Sequence, residues 1–251
     1  MSAEDEVGLP PTPDEDLLSG VGPTRRVQAT GESERIAAIA SEVARGFEAL
    51  DGVHKAVSIF GSARTPESAP DYELARATAR LLGEHGFTII TGGGPGIMEA
   101  ANLGARDAGV LSVGLNIDLP VDQPTNPYVD LRLRFNHFFI RKLMFVRYAS
   151  AFVVFPGGLG TLDEMFEALT LIQTGKIRHF PVVLMGVDFW SGLMAWGDQE
   201  LLAGGKVDRA DLGLLHTVDR PDGAVAIIEA GHRRQVGESA GIPSAGPAPQ
   251  G

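Results

Sequence analysis

Residues 156–164 read PGGLGTLDE and follow directly on the apolar run AFVVF (151–155). Glycines at 157, 158 and 160 let backbone N–H groups approach an anion, and a helix opening there adds a favourable dipole. Gly157, Gly158, Leu159, Gly160 and Thr161 are therefore candidate phosphate contacts. Asp163 and Glu164 set two carboxylates beside that loop. A phosphate does not tolerate bare carboxylates, so in a ligand-binding reading they face another part of the ligand. Thr161 and Glu164 also form S/T-x-x-E, a capping box in which Glu164 would serve the Thr161 N–H, and Asp163 would complement the helix dipole. Spacing alone leaves both readings open.

A second group lies in HFFIRKLMFVRYAS (137–150), where Arg141, Lys142 and Arg147 stand among Phe138, Phe139, Leu143, Met144 and Phe145. Cations in so apolar a segment need counter-charges or a ligand. Lys142 also reads as a snorkelling surface residue, and His137 as a cap or packing residue. The segment runs straight into AFVVFPGG, so Arg141 begins about a helix length from the glycine loop. Tertiary folding must bring the two together.

Two more small-residue loops follow apolar runs, GSAR (61–64) and TGGGPG (91–96). They add Gly61, Ser62, Gly93 and Gly94 as candidate ligand contacts. None of the three loops is a dinucleotide G-x-G-x-x-G, because Ile97 and Asp163 occupy the positions where the last glycine is needed. No G-x-x-x-x-G-K-[ST] occurs. The histidines make no metal-binding pair, and neither a metal nor a cofactor is expected.

The elements that must position these groups alternate. Helical spacing at 34–50, 71–86, 97–109, 137–150, 161–175 and 188–202 is interleaved with apolar runs at 55–60, 87–91, 110–117, 151–155 and 180–185. LRLRF (131–135) alternates like a strand, and 214–218 and 222–234 close the series. Continuously apolar strands between helices predict α/β architecture, a Rossmann-like doubly wound parallel sheet with helices on both faces. Ligands of such sheets bind where strands end and helices begin. The domain is expected over 31–236. A Pro- and acid-rich segment (1–30) and a Gly/Pro-rich one (237–251) are expected to be disordered tails.

Charge narrows the partners. Of the net −11, −4 lies in 1–30 and −1 in 237–251, leaving −6 on the body. An acidic body argues against nucleic acid as partner. The 251 residues contain no cysteine, which excludes disulfides and thiol catalysis. No signal segment and no apolar run near membrane length is present, so a cytoplasmic protein without membrane contact is expected.

Together the motifs resemble the LONELY GUY (LOG) family. PGGLGTLDE is similar to its P-G-G-x-G-T-x-x-E signature, FFIRK to its R-K segment, and IFGSAR and TGGGPGIMEAAN to its first two strand-end motifs, over about residues 55–200. Phe138 and Phe139 stand where the plant branch has Met-His, and LNIDLPVDQPTNPYVD resembles the longer bacterial branch. The resemblance implies a cytokinin riboside 5′-monophosphate phosphoribohydrolase, which splits AMP or an N6-modified AMP into free base and ribose 5-phosphate. It implies Arg141 and Glu164 as the catalytic pair, Gly157 to Thr161 as the nucleotide loop, and a homo-oligomer, dimer or hexamer. The lysine decarboxylase label often attached to the family finds no lysine here in a pyridoxal-phosphate setting. Glycosidic cleavage builds an oxocarbenium ion at C1′, which a carboxylate stabilises while activating water; that is the part of a nucleotide Glu164 would face. The alternative expectation is a non-catalytic nucleotide or cofactor carrier on the same fold.

Overall fold

Strands at Ala56–Phe60 (β1), Thr88–Thr91 (β2), Ser112–Ile117 (β3), Leu131–Phe135 (β4), Ala151–Val154 (β5), Val182–Met185 (β6) and Leu215–Val218 (β7) form one sheet in the computed structural model. The structure describes residues 12–18, 31–119, 124–177 and 180–240. Every pairing is parallel and the strand order is β4-β3-β2-β1-β5-β6-β7. The chain moves outward from β1 to β4, then returns to the other side of β1 with β5. The β1/β5 boundary is thus the topological switch point, where the strand ends leave a crevice.

The helices are Pro13–Leu18 (α1), Glu32–Ala49 (α2), Pro70–Glu84 (α3), Ile97–Asp107 (α4), Phe138–Tyr148 (α5), Leu159–Gln173 (α6), Val187–Trp196 (α7), Arg209–Leu212 (α8) and Pro221–Ala240 (α9). Core residues of α3, α4 and α9 pack on one sheet face, and those of α2, α5, α6 and α7 on the other. All residues of β1, β5 and β6 are buried, which is why these strands read as apolar runs, broken only by Ser58 in β1. The edge strand β4 keeps its alternation because Arg132 and Arg134 face solvent.

Three differences from the sequence expectation carry consequences. Helix α6 starts at Leu159, two residues before the expected 161. Helix α9 runs to Ala240, past the expected boundary at 236. Inside the segment expected to be a disordered tail, residues 13–18 are helical, and Asp14 Oδ2 accepts a hydrogen bond from Phe138 N at 3.1 Å. Residues 1–11, 19–30 and 241–251 lie outside the described residues. Among the described residues no helix is long and apolar enough to cross a membrane.

Candidate active site

The three small-residue loops meet at the switch point through their main chains. Phe155 N donates to Phe60 O (2.8 Å), Ser62 N to Pro156 O (3.0 Å) and Ile97 N to Ser62 O (3.1 Å). Ser62 thereby ties the ends of β1 and β5 to the start of α4. Gly96 makes this possible: its φ is +67°, and a Cβ there would collide with the Ser62 carbonyl. Gly157 passes so close to the Thr161 side chain that a Cβ would overlap it.

Helix α5 reaches the same place by packing. Ile140, Met144 and Phe145 are buried in the core, and the Phe145 ring meets the Phe60 ring edge-on at 4.9 Å. This stripe turns Arg141 toward the strand ends. Phe138 three residues before and Phe145 four after flank its guanidinium, with ring centroids at 5.1 and 5.6 Å. The turn before α5 is seated by Glu42 of α2. Its carboxylate accepts from Asn136 Nδ2 (3.1 Å), Asn136 N (2.8 Å) and His137 N (3.2 Å) and contacts His137 Nδ1 at 3.1 Å. Burial would push the Glu42 carboxyl up, but these hydrogen bonds outweigh it and hold it below its ordinary value.

The result is a cleft of about 650 Å³. Of the candidate residues named from the sequence, Gly61, Ser62, Gly158, Leu159, Gly160, Thr161, Arg141 and Glu164 all line it. Gly93 and Gly94 do not. Their carbonyls are held by Asn126 N and Nδ2, each at 2.9 Å, and it is Gly92 that lines the cleft. Gly157 shapes the loop from behind. Lys142 and Asp163 also stand outside the lining, bonded to each other at 2.8 Å, and Lys142 bonds Glu167 at 2.8 Å as well.

Glu164 is not a capping residue. Gly158 is the N-cap of α6, Thr161 N already donates to Gly158 O (3.0 Å), and Glu164 lies in the second turn, 4% exposed. Its Oε1 is 3.8 Å from Arg141 Nη2, an ion pair longer than a hydrogen bond. Burial pushes the Glu164 carboxyl up to about 7, although Arg141 and Lys142 pull it down. Burial likewise draws the Arg141 guanidinium below its ordinary value, against Glu164 and Asp163. Desolvation beats mutual attraction on both partners.

Four buried side-chain atoms among the described residues have no hydrogen-bond partner in the protein. Three of them, Arg141 Nε, Glu164 Oε2 and Asn116 Oδ1, belong to residues lining this cleft. Such atoms are costly unless a ligand completes them. Leu159 and Gly160, the first two residues of α6, line the same space, and their N–H groups precede the first bond of the helix, which Thr161 N makes to Gly158 O. Anion binding at one end and a carboxylate poised between charged and neutral beside it can support acid–base or cation-stabilising chemistry. Among the described residues no lysine lines the cleft. Sequence reading missed Asn116, Asn126 and Glu42; only the F-x-x-R-x-x-x-F spacing around Arg141 announced its aromatic flanks in advance.

Comparison with known proteins places the chain among relatives. The family model described as "Possible lysine decarboxylase" matches residues 98–228. The chain is 32% identical over 161 residues to a cytokinin riboside 5′-monophosphate phosphoribohydrolase of Mycobacterium marinum, spanning 63% of this chain and 86% of that protein. It is 30% identical over 127 residues to a pyrimidine/purine nucleotide 5′-monophosphate nucleosidase of Escherichia coli, spanning 46% of this chain and 28% of that one. Among solved structures, the molybdenum cofactor binding protein of Rippkaea orientalis superposes with a TM-score of 0.54 at 22% identity, over 70% of this chain and 96% of that one. At that identity the likeness speaks to the fold alone.

Proposed function

We infer from this chain's place in the LOG family, to which it belongs, that it hydrolyses the N-glycosidic bond of a nucleoside 5′-monophosphate, releasing free base and ribose 5-phosphate. The observation that carries the reading is the buried, incompletely bonded pair of Arg141 and Glu164 at the switch point.

In this reading the N–H groups opening α6 and the Thr161 hydroxyl hold the 5′-phosphate. Arg141 bridges phosphate and Glu164. Glu164, ionised, lies against the sugar. As the C1′–N bond lengthens, its electron pair leaves with the base and positive charge builds on C1′ and the ring oxygen. The carboxylate stabilises that charge and takes a proton from the water whose oxygen bonds C1′. The departing base takes up a proton from solvent, and Glu164 gives the proton it took back to solvent, so the water's OH ends on C1′, its H is balanced on the base, and the carboxylate is restored. AMP and N6-modified AMP are the proposed substrates. A carrier role has the fold in its favour and gives no task to a buried carboxylate raised to about 7.

A homo-oligomer, dimer or hexamer, belongs to the same proposal, as does a cytoplasmic setting. Phe139, Leu143, Leu159 and Phe166 are exposed on α5 and α6, which touch through Lys142 and Glu167, and such a face favours a second copy. A monomer by light scattering at micromolar concentration counts against it. The activity itself is tested by incubating the pure protein with AMP, N6-isopentenyl-AMP, GMP and CMP and assaying ribose 5-phosphate. Release from AMP or its N6-derivative, lost in Glu164→Gln, is expected; no release from any of the four sinks the reading.

A further inference from the structure

Three asparagines are buried among the described residues: Asn102, Asn116 and Asn126. Two are fully engaged in holding the fold. Asn102 accepts from Thr91 Oγ1 (2.7 Å) and Asn126 Nδ2 (2.9 Å) and donates to Ser112 Oγ (2.8 Å). Asn126 donates to Gly94 O (2.9 Å) and accepts from Tyr128 N (3.1 Å). Asn116 differs. It lies at the end of β3, is 6% exposed and lines the cleft, and its Oδ1 has no partner in the protein. The backbone makes room for it: a Cβ on Gly93 would stand 2.8 Å from Oδ1 and 3.1 Å from Nδ2. A buried amide oxygen left unbonded is destabilising and does nothing for packing that a leucine would not do better.

Position says which part of a ligand this amide meets. The order β3-β2-β1-β5 sets β3 three strand spacings from β5, roughly 14 Å at the usual separation. The α6 N–H groups follow β5, so Asn116 stands at the opposite end of the cleft, about the span from a 5′-phosphate to the far edge of its base. Its companions in the lining there are Met98, Ile117 and Leu119. Apolar side chains around one amide suit a flat heterocycle with a polar edge.

We propose that Asn116 is the base-selecting residue, pairing its carboxamide with an adjacent N–H donor and ring-nitrogen acceptor, the N6–H/N7 edge of an adenine. An N6-alkyl group turned away from N7 leaves that edge intact, so AMP and N6-modified AMP are both accepted. Hypoxanthine and guanine offer two acceptors there, and one end of the amide stays unpaired. This assignment rests on the hydrolase reading for the ligand being a nucleotide.

The test compares wild type with Asn116→Leu on AMP, N6-isopentenyl-AMP and IMP, by initial rates and by the thermal upshift each nucleotide produces, which needs no turnover. Wild type prefers AMP over IMP. In Asn116→Leu, kcat/KM for AMP falls roughly 10- to 100-fold while IMP is little changed, so the preference collapses. A variant that melts cooperatively and keeps the wild-type preference overturns the assignment, as does one that loses both nucleotides equally. The wild-type protein supplies a check free of any folding defect. It should bind 7-deaza-AMP, which lacks N7, roughly 10-fold more weakly than AMP; equal binding overturns the assignment. Absence of turnover with every nucleotide sinks the hydrolase reading, and the upshifts still report whether Asn116 selects the base.

Discussion

Arg141 and Lys142 are consecutive on α5 and each faces an acid of α6, yet the two pairs are built in opposite ways. Lys142 bonds Asp163 and Glu167, both at 2.8 Å. Burial alone would draw its ammonium down, but those hydrogen bonds hold it above its ordinary value. Arg141 stands 3.8 Å from Glu164, leaves its Nε unbonded, and sits below its ordinary value. The first pair is a fastener between two helices at the protein's surface. The second keeps its charges desolvated and incompletely matched, the condition in which a side chain can respond to a ligand or a developing charge.

The sharpest way to break that comparison is Glu164→Gln, which keeps the shape and removes the charge. Turnover of AMP should fall roughly 10²- to 10⁴-fold with the fold intact by circular dichroism; an equally active variant would assign Glu164 to packing alone. Next is Arg141→Ala, expected to lower kcat/KM by about 3 kcal/mol, as loss of a preorganised charge does. If its effect matched that of Lys142→Met, the two pairs would not differ in kind.

The third effect is on stability and depends on pH. A carboxyl raised from 4.5 to about 7 by folding stabilises the folded state below pH 4.5 and loses that contribution as pH rises through about 7. Wild type should therefore lose up to about 3 kcal/mol relative to Glu164→Gln between pH 5 and pH 8, read from denaturant midpoints. The same titration predicts that kcat/KM climbs with pH through about 7, since the ionised form is the working one. A flat difference in stability across that range removes the assigned environment of Glu164. The smallest effect belongs to the fastener. Lys142→Met should change stability by about 1 kcal/mol or less and leave turnover near wild type. Because Lys142 helps to hold the Glu164 carboxyl down, the acid limb of its pH profile should move slightly upward.

The sheet was legible because strands covered on both faces must be largely apolar: β5 and β6 are so throughout, and β1 is broken only by Ser58. Arg141 and Glu164 were legible as types, among three cations in an apolar helix and two acids after a glycine loop, and the LOG resemblance singled them out. The start of α6 was not. Leu159 and Gly160 look like loop, so the helix seemed to open at Thr161 and Glu164 took on the spacing of a cap. Asn116 and Asn126 carry no local signal, because what distinguishes them is whether a distant residue satisfies an amide. The short helix Pro13–Leu18 was hidden for a related reason: its acidic, proline-rich sequence shows no periodicity, and its contact is with Phe138, more than a hundred residues on.

The ties around Ser62 run from main chain to main chain: Phe155 to Phe60, Ser62 to Pro156, Ile97 to Ser62. Heritable variation acts on side chains. Codon changes at these positions, other than to proline, leave the hydrogen bonds in place, while Gly61, Gly96 and Gly157, where an added Cβ would collide, resist replacement. The lining at the far end, Asn116 with Met98 and Leu119, consists of side chains that selection can exchange one at a time. In the proposed reading, a lineage built on this scaffold inherits its hold on ribose phosphate as a fixed trait and its taste in bases as a variable one.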